Sequence, residues 1–236
     1  MIKNLQKILF LDIETVPQYK CFGDVPEYLQ ELWRKKMQAS IKPDEDLEKA
    51  YQRAGIWAEF GKIICISLGF IYEKNGKNLF RIKSLYGNDE NKILSDFNDV
   101  LTKFATKHKK EILLCAHNGK EFDFPYIARR MLINKIPLPK NLDISGKKPW
   151  EVPFLDTMEL WRFGDYKNYT SLDLLASVFD IPSPKDDIDG SKVADVYYNH
   201  RDIERIVQYC EKDTFTLACL YLRIKEIFID LEIDGY

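Results

Sequence analysis

Lys7-Ile-Leu-Phe-Leu-Asp12-Ile-Glu14-Thr-Val-Pro17 decides how the rest of the chain is read. Ile8 to Leu11 form a continuous apolar run, the pattern of a strand buried on both faces of a sheet. Asp12 and Glu14 follow two residues apart, and side chains on a strand repeat every second residue. Both carboxylates therefore leave the same face. Two like charges at the mouth of a core strand repel each other and lose hydration unless a positive partner joins them; a divalent cation is one such partner. The same residues also read as a strand ending in a solvated acidic turn closed by Pro17.

Composition narrows the classes. The chain has 236 residues, 45% hydrophobic and 31% charged, an ordinary globular mixture long enough to bury a core without staples. A formal net charge of -2 provides no global field for polyanions, so a nucleic-acid partner has to be held by local patches and metal ions. Cys21, Cys65, Cys115, Cys210 and Cys219 are scattered, without a C-x-x-C pair or a histidine cluster, and read as reduced, buried thiols of a cytosolic protein. The N-terminus lacks a signal-peptide core and no run approaches a membrane span. The expectation is a cytoplasmic protein with no membrane partner.

Outward from the first strand, residues 18–60 are mostly polar with helical spacing, Tyr28, Leu29, Leu32 and Trp33 and then Leu47, Tyr51 and Ala54. Pro43 divides them into two short helices. The stretch reads as an insertion or flap, with too few apolar residues for a core of its own. Residues 62–72 and 78–85 flank Asn75-Gly76, a strong hairpin signal. An amphipathic helix is expected over 89–108 and a strand over Glu111–Ala116 leading into His117-Asn118-Gly119. A helix from Asp123 to about Leu132 carries Pro125 in its first turn, where a missing N–H is harmless. Phe154-Leu155-Asp156 reads as one more strand, followed by helices near 157–162, 171–179 and 191–198 and a long one from Arg201 towards Phe228. A meander of three strands followed by alternating strand and helix predicts one α/β domain over 1–236, a mixed sheet with flanking helices and a helical insertion after the first strand. Ribonuclease H-like architecture has this order, though the order alone does not single it out.

Further candidates lie far from Asp12 in sequence. Tyr209 and Asp213 are four apart, hence on one face of the last helix, and Asp213 falls near its apolar stripe. An inward carboxylate needs a partner, either a metal or a basic side chain such as Arg205. Asp123 precedes Phe124-Pro125 and also reads as a helix cap. Asn118 and Phe122 read as a turn amide and a core aromatic, or as groups that hold and stack on a terminal base. Asp156 reads as a cap, and Gly190-Ser191 as a turn.

Taken together, Asp12-x-Glu14 at a strand end, Asn118-x-x-x-Phe122-Asp123 at a strand-to-helix turn and Tyr209-x-x-x-Asp213 on a late helix closely resemble the DEDD superfamily of 3′–5′ exonucleases. The likeness is to the branch with a tyrosine four residues before the last aspartate. It is nearest to the proofreading domains of family B DNA polymerases and their stand-alone bacterial relatives, and it runs from Lys7 to about Phe228. Gln208 and the distant His200 do not fit the sister branch that uses histidine. The resemblance implies metal ligation by Asp12, Glu14, Asp123 and Asp213, with Asp12 bridging two Mg²⁺ or Mn²⁺ ions and Tyr209 orienting or helping to deprotonate the attacking water. Hard divalent cations take oxygen ligands, so an all-carboxylate site favours these ions over Zn²⁺. Two such ions clamp the attacking and leaving oxygens of an in-line phosphoryl displacement.

The implied partner is the 3′ end of a single-stranded nucleic acid, DNA ahead of RNA, with release of nucleoside 5′-monophosphates and a place in DNA repair. Alternatives are an exoribonuclease and a silent nuclease-like binding module. The 18–60 insertion is a candidate surface for a protein partner. Basic residues cluster at Arg34-Lys35-Lys36, Lys107-His-Lys-Lys110, Arg129-Arg130 and Lys147-Lys148; Arg129 and Arg130 stand nearest the proposed site and are the preferred phosphate contacts.

Overall fold

A computed structural model of the protein describes residues 2–38, 45–109, 111–165, 167–182 and 188–234. Pro43 and Lys110 lie outside the described residues. Among the described residues six strands form one sheet: β1 (Ile8–Pro17), β2 (Gly61–Lys74), β3 (Lys77–Tyr86), β4 (Leu113–Ala116), β5 (Leu155–Asp156) and β6 (Leu231–Ile233), in the order β5-β4-β1-β2-β3-β6. β1, β2 and β3 are antiparallel neighbours, while β4 runs parallel to β1, β5 to β4 and β6 to β3. This is the mixed α/β sheet with flanking helices that the element order predicts.

The hairpin closes at Asn75 and Gly76, with φ of 54° and 77°, the left-handed pair that a two-residue turn requires. Outside the insertion the helices are α1 (Ile2–Leu5), α4 (Glu90–Lys107), α5 (Asp123–Ile133), α6 (Thr157–Arg162), α7 (Leu172–Val178), α8 (Val193–Asp195) and α9 (Ile203–Ile224). Two endings differ from the sequence reading. The helix near 191–198 is one turn of α8 running into a π-type turn over Val196–His200. The last helix stops at Ile224, and the chain continues into β6, which borders Asn78–Phe80.

β1 divides its side chains between two cores. Leu9, Leu11 and Ile13 pack with Ile93, Leu94, Phe97 and Leu101 of α4 and with Phe124, Ile127 and Met131 of α5. Ile8 and Phe10 face the other way, onto Leu217, Ala218, Tyr221 and Leu222 of α9. A buried strand with period two allows only this split, and it sends Asp12 and Glu14 to the α9 side. Between Glu14 and Thr15 the register with β2 shifts by one residue, a bulge at the end of the acidic pair.

The insertion has a core after all, contrary to expectation. It holds α2 (Glu27–Met37) and α3 (Leu47–Tyr51), packed around Phe22, Val25, Trp33, Met37, Tyr51 and Phe60. Trp33 is fully buried, edge-on to Tyr51, Trp57 and Phe60 with ring centroids 5.4, 5.4 and 5.0 Å away. A few large rings achieve what a count of apolar positions underrates, since each removes about 150–250 Å² from water. The exit of the insertion is bolted to the main body. The Gly55 carbonyl accepts from Thr15 Oγ1 at 2.9 Å and Tyr126 OH at 2.7 Å, and the Ala58 carbonyl accepts from Arg130 Nη1 at 2.8 Å. Arg130 is buried and paired with Glu90 (Nε to Oε1 2.9 Å), which also accepts from the Ile63 amide at 2.7 Å. Arg130 is therefore a strut of the fold and not a phosphate contact; Arg129 beside it is exposed.

Candidate active site

The acidic end of β1 meets one helix start and one helix flank. Asp12 lies opposite Ser67 and Glu14 opposite Cys65 on β2, beneath α9, which lies across β1, β2 and β3. Glu14 and Asp123 are buried, whereas Asp12, Tyr209 and Asp213 are half-buried, so the group opens to one side. Asp123 is the first residue of α5 and not its cap; Phe122 holds the cap position without a side-chain bond. The Asp123 carboxyl instead accepts from its own amide and from the Ile13 amide of β1. On α9, the Tyr209 hydroxyl donates to Asp213 one turn away.

These groups feel one another strongly. Burial pushes the Asp12 carboxyl well above the carboxylate range, and repulsion from Asp213 and Asp123 adds to it. Glu14 is raised in the same way by burial and then by Asp12 and Asp213. Burial carries Asp123 up to about 7 against the opposing hydrogen bonds of its own and the Ile13 amide, with Asp156 adding repulsion. Tyr209 is pushed well above its usual value by burial, then by Asp213, Glu14 and Asp12, so its hydroxyl keeps its proton. Asp12 and Glu14 thus offer carboxylate oxygens within 4.8 Å of each other among the described residues, and Asp123, Asp213 and Tyr209 stand near enough to interact with them electrostatically. Crowded oxygen donors that repel one another suit a divalent cation, whose charge would offset that repulsion.

Asn118 and Phe122 sit on the turn before α5. Asn118 has φ of +60°, which asparagine tolerates better than most residues, and its side-chain oxygen is buried without a hydrogen-bond partner among the described residues. Phe122 is half-buried against Tyr126, with centroids 5.3 Å apart.

Three supporting residues carry more than their sequence reading assigned. Asp156 caps α6 through the Met158 and Glu159 amides, as expected, and also accepts from Asn118 N and Lys120 N, both at 3.0 Å. It thereby staples the Asn118 turn to α6. His117 bridges Thr157 Oγ1 and the Thr170 carbonyl, each at 2.8 Å. Cys210, read only as a buried thiol, has its sulfur 3.3 Å from Asp12 Oδ2. Its spacing of three from Asp213 is the signal that placed it on the same side of the helix. Nothing in the sequence pointed to the second role of Asp156.

Among the described residues no helix is long and apolar enough to cross a membrane. No curated protein matches the chain. The family B DNA polymerase of the hyperthermophilic archaeon Pyrobaculum calidifontis matches in structure with a TM-score of 0.51 at 16% identity, over 91% of this chain and 24% of the polymerase. The chain thus spans about a quarter of that protein, and the likeness is one of fold. A sequence-family profile described as "predicted 3'-5' exonuclease related to the exonuclease domain of PolB" matches residues 56–236. That match begins within the last residues of the insertion, so Asp12 and Glu14 lie outside it and stand beside it through the fold alone. The chain belongs to this family of predicted 3′–5′ exonucleases related to the exonuclease domain of PolB.

Proposed function

We propose that the chain is a single metal-dependent exonuclease domain that removes nucleoside 5′-monophosphates from the 3′ ends of single-stranded DNA. The observation that carries this reading is the convergence of carboxyls from β1, α5 and α9, with the Tyr209 hydroxyl held by Asp213. Asp12, Glu14, Asp123 and Asp213 would hold two Mg²⁺ or Mn²⁺ ions, with Asp12 as the shared ligand, a reading supported by the repulsion it feels from both Asp213 and Asp123. Bound there, the ions would supply activation of the water nucleophile and neutralise charge on the leaving oxygen.

Tyr209 would orient the water by accepting from it while donating its own proton to the Asp213 bond, and would not act as a base, because that proton is held too tightly to leave at neutral pH. Asn118 and Phe122 form the edge where the terminal nucleotide is gripped; the unsatisfied Asn118 oxygen supports that role. Preference for DNA rests on likeness to a DNA polymerase, since 2′-hydroxyl recognition turns on a few contacts. Protein-partner contact through 18–60 and a repair role belong to the same proposal.

The test is digestion of 5′-labelled single-stranded DNA and a matched RNA with Mn²⁺. A descending DNA ladder that EDTA abolishes and Asp12→Ala lacks is expected. Full activity of Asp12→Ala would refute the site, and faster RNA turnover would reverse the substrate preference.

A further inference from the structure

β1, β4 and β5 run parallel, so their carboxyl ends lie together at the acidic end of the sheet. Two residues beyond the paired Phe10 and Cys115, β1 carries Asp12 and the neighbouring chain carries His117. The His117 Nε2 lies 2.8 Å from the Thr170 carbonyl oxygen, and its Nδ1 lies 2.8 Å from Oγ1 of Thr157, the residue after β5. A carbonyl can only accept, so the imidazole carries its proton on Nε2 and accepts from the threonine hydroxyl at Nδ1. Burial lowers the pKa of this ring and keeps it neutral. Ser171, the next residue, caps α7 by accepting from the Leu174 amide at 3.2 Å. Thr170 and Ser171 thus fix the backbone beside Tyr169.

Tyr169 itself is 67% exposed, and among the described residues its side chain enters no ring pair and no hydrogen bond. Its hydroxyl is nevertheless raised above the ordinary phenol value, first by partial burial and then by Asp123, Asp173 and Asp12. A ring that is largely accessible, yet crowded by protein and within reach of two acids of the centre, lines a cleft and does not cap a convex surface. It contributes little to the core, and its open face is available to a planar ligand. Every nucleobase presents a π-face to such a ring. The neighbouring Asn118 turn shares its anchor, since Asp156 holds the Asn118 amide and the adjacent Thr157 holds His117.

We propose that Tyr169 is a positioning residue that stacks on one of the last two bases of the nucleic-acid strand and so brings the 3′-terminal phosphodiester to the carboxylates. The inference rests on reading those carboxylates as an exonuclease centre. Stacking uses the ring and not the hydroxyl, and it tolerates any base. Tyr169 would therefore grip DNA and RNA ends alike, leaving discrimination between them to contacts with the 2′ position.

The experiment measures the first cleavage of a 5′-labelled single-stranded oligonucleotide with Mn²⁺ by wild type, Tyr169→Phe and Tyr169→Leu. Loss of one stacked base weakens binding about 5–150-fold. Tyr169→Leu should raise KM by that factor with kcat little changed, and Tyr169→Phe should match wild type. Oligonucleotides abasic at the last or at the penultimate residue locate the contact, because on one of them wild type and Tyr169→Leu should share the same KM. A rise in KM that persists on both abasic strands overturns the proposal, and so does a fall in kcat alone. Weakened Mn²⁺ binding by Tyr169→Leu in calorimetry also overturns it, since the residue would then support the acids and not the strand. Equal KM for wild type and Tyr169→Leu on the intact strand defeats the stacking role but leaves the exonuclease centre standing. A wild type that cuts no strand defeats both.

Discussion

At the residue scale, Tyr209 and Asp123 make separable predictions. Removing the hydroxyl in Tyr209→Phe takes away an oxygen that would accept from the reacting water, and its bond to Asp213, but no metal-ligating oxygen. Turnover should fall about 10²-fold, while Mn²⁺ affinity by calorimetry stays close to wild type. Unchanged turnover would remove Tyr209 from the mechanism. Asp123 is raised to about 7 in the folded state, against about 3.9 for an unperturbed aspartate. In the metal-free protein the stabilisation from its retained proton is complete below about pH 4 and is lost as pH rises through about 7. Calorimetry in EDTA should therefore show wild type losing stability relative to Asp123→Asn across that window, and saturating Mn²⁺ should remove the loss. An identical pH profile in the two proteins would contradict the shift. Asp12, Glu14 and Asp213 were legible because fixed spacings on a strand and a helix put them on known faces. The staple made by Asp156 was not, because it joins a turn and a helix that only tertiary folding brings together.

At the element scale, the insertion is held by the buried pair of Glu90 on α4 and Arg130 on α5, through the Ala58 carbonyl. Breaking one partner leaves the other charged and dry, a loss of about 3–5 kcal/mol. Glu90→Leu or Arg130→Met should each lower the midpoint of urea unfolding, and the two together should recover most of the loss. If the double variant is as unstable as the sum of the singles, the pair is not acting as a coupled unit. Gly61 adds to the same junction: a Cβ there would lie 2.1 Å from Tyr126 OH. Deleting 18–60, in a protein that still folds, should alter DNA handling more than metal binding, as measured by ladder patterns beside Mn²⁺ calorimetry. Helix and strand identity were readable from periodicity, and the hairpin from Asn75-Gly76. Periodicity did not reveal the insertion's core because that core depends on Trp57 and Phe60 near its exit, which belong to no regular apolar stripe.

For the whole molecule, the proposed metal centre would couple metal binding to folding. Carboxyls brought together only in the native state bind a cation only there, so Mn²⁺ at about 100 times its dissociation constant adds about 2.7 kcal/mol. For a chain of this size that corresponds to a rise of about 5–11 °C in Tm. Asp12→Ala should abolish the rise in differential scanning calorimetry, and a rise that persists would place the ion elsewhere. The α/β class was legible because a meander followed by alternating strand and helix permits few sheets. Strand order at the far edge was not, since β6 is three residues long and follows a helix whose end carries no glycine or proline signal.

The Glu90–Arg130 strut also sets how the molecule responds to ionic strength. Contacts between exposed basic side chains and phosphates weaken steeply with added salt, and at 1 M the screening length is only about 3 Å. A charge pair sealed between α4 and α5 is scarcely screened. High salt should therefore weaken any phosphate contacts of exposed basic side chains while the insertion stays seated on its buried tether.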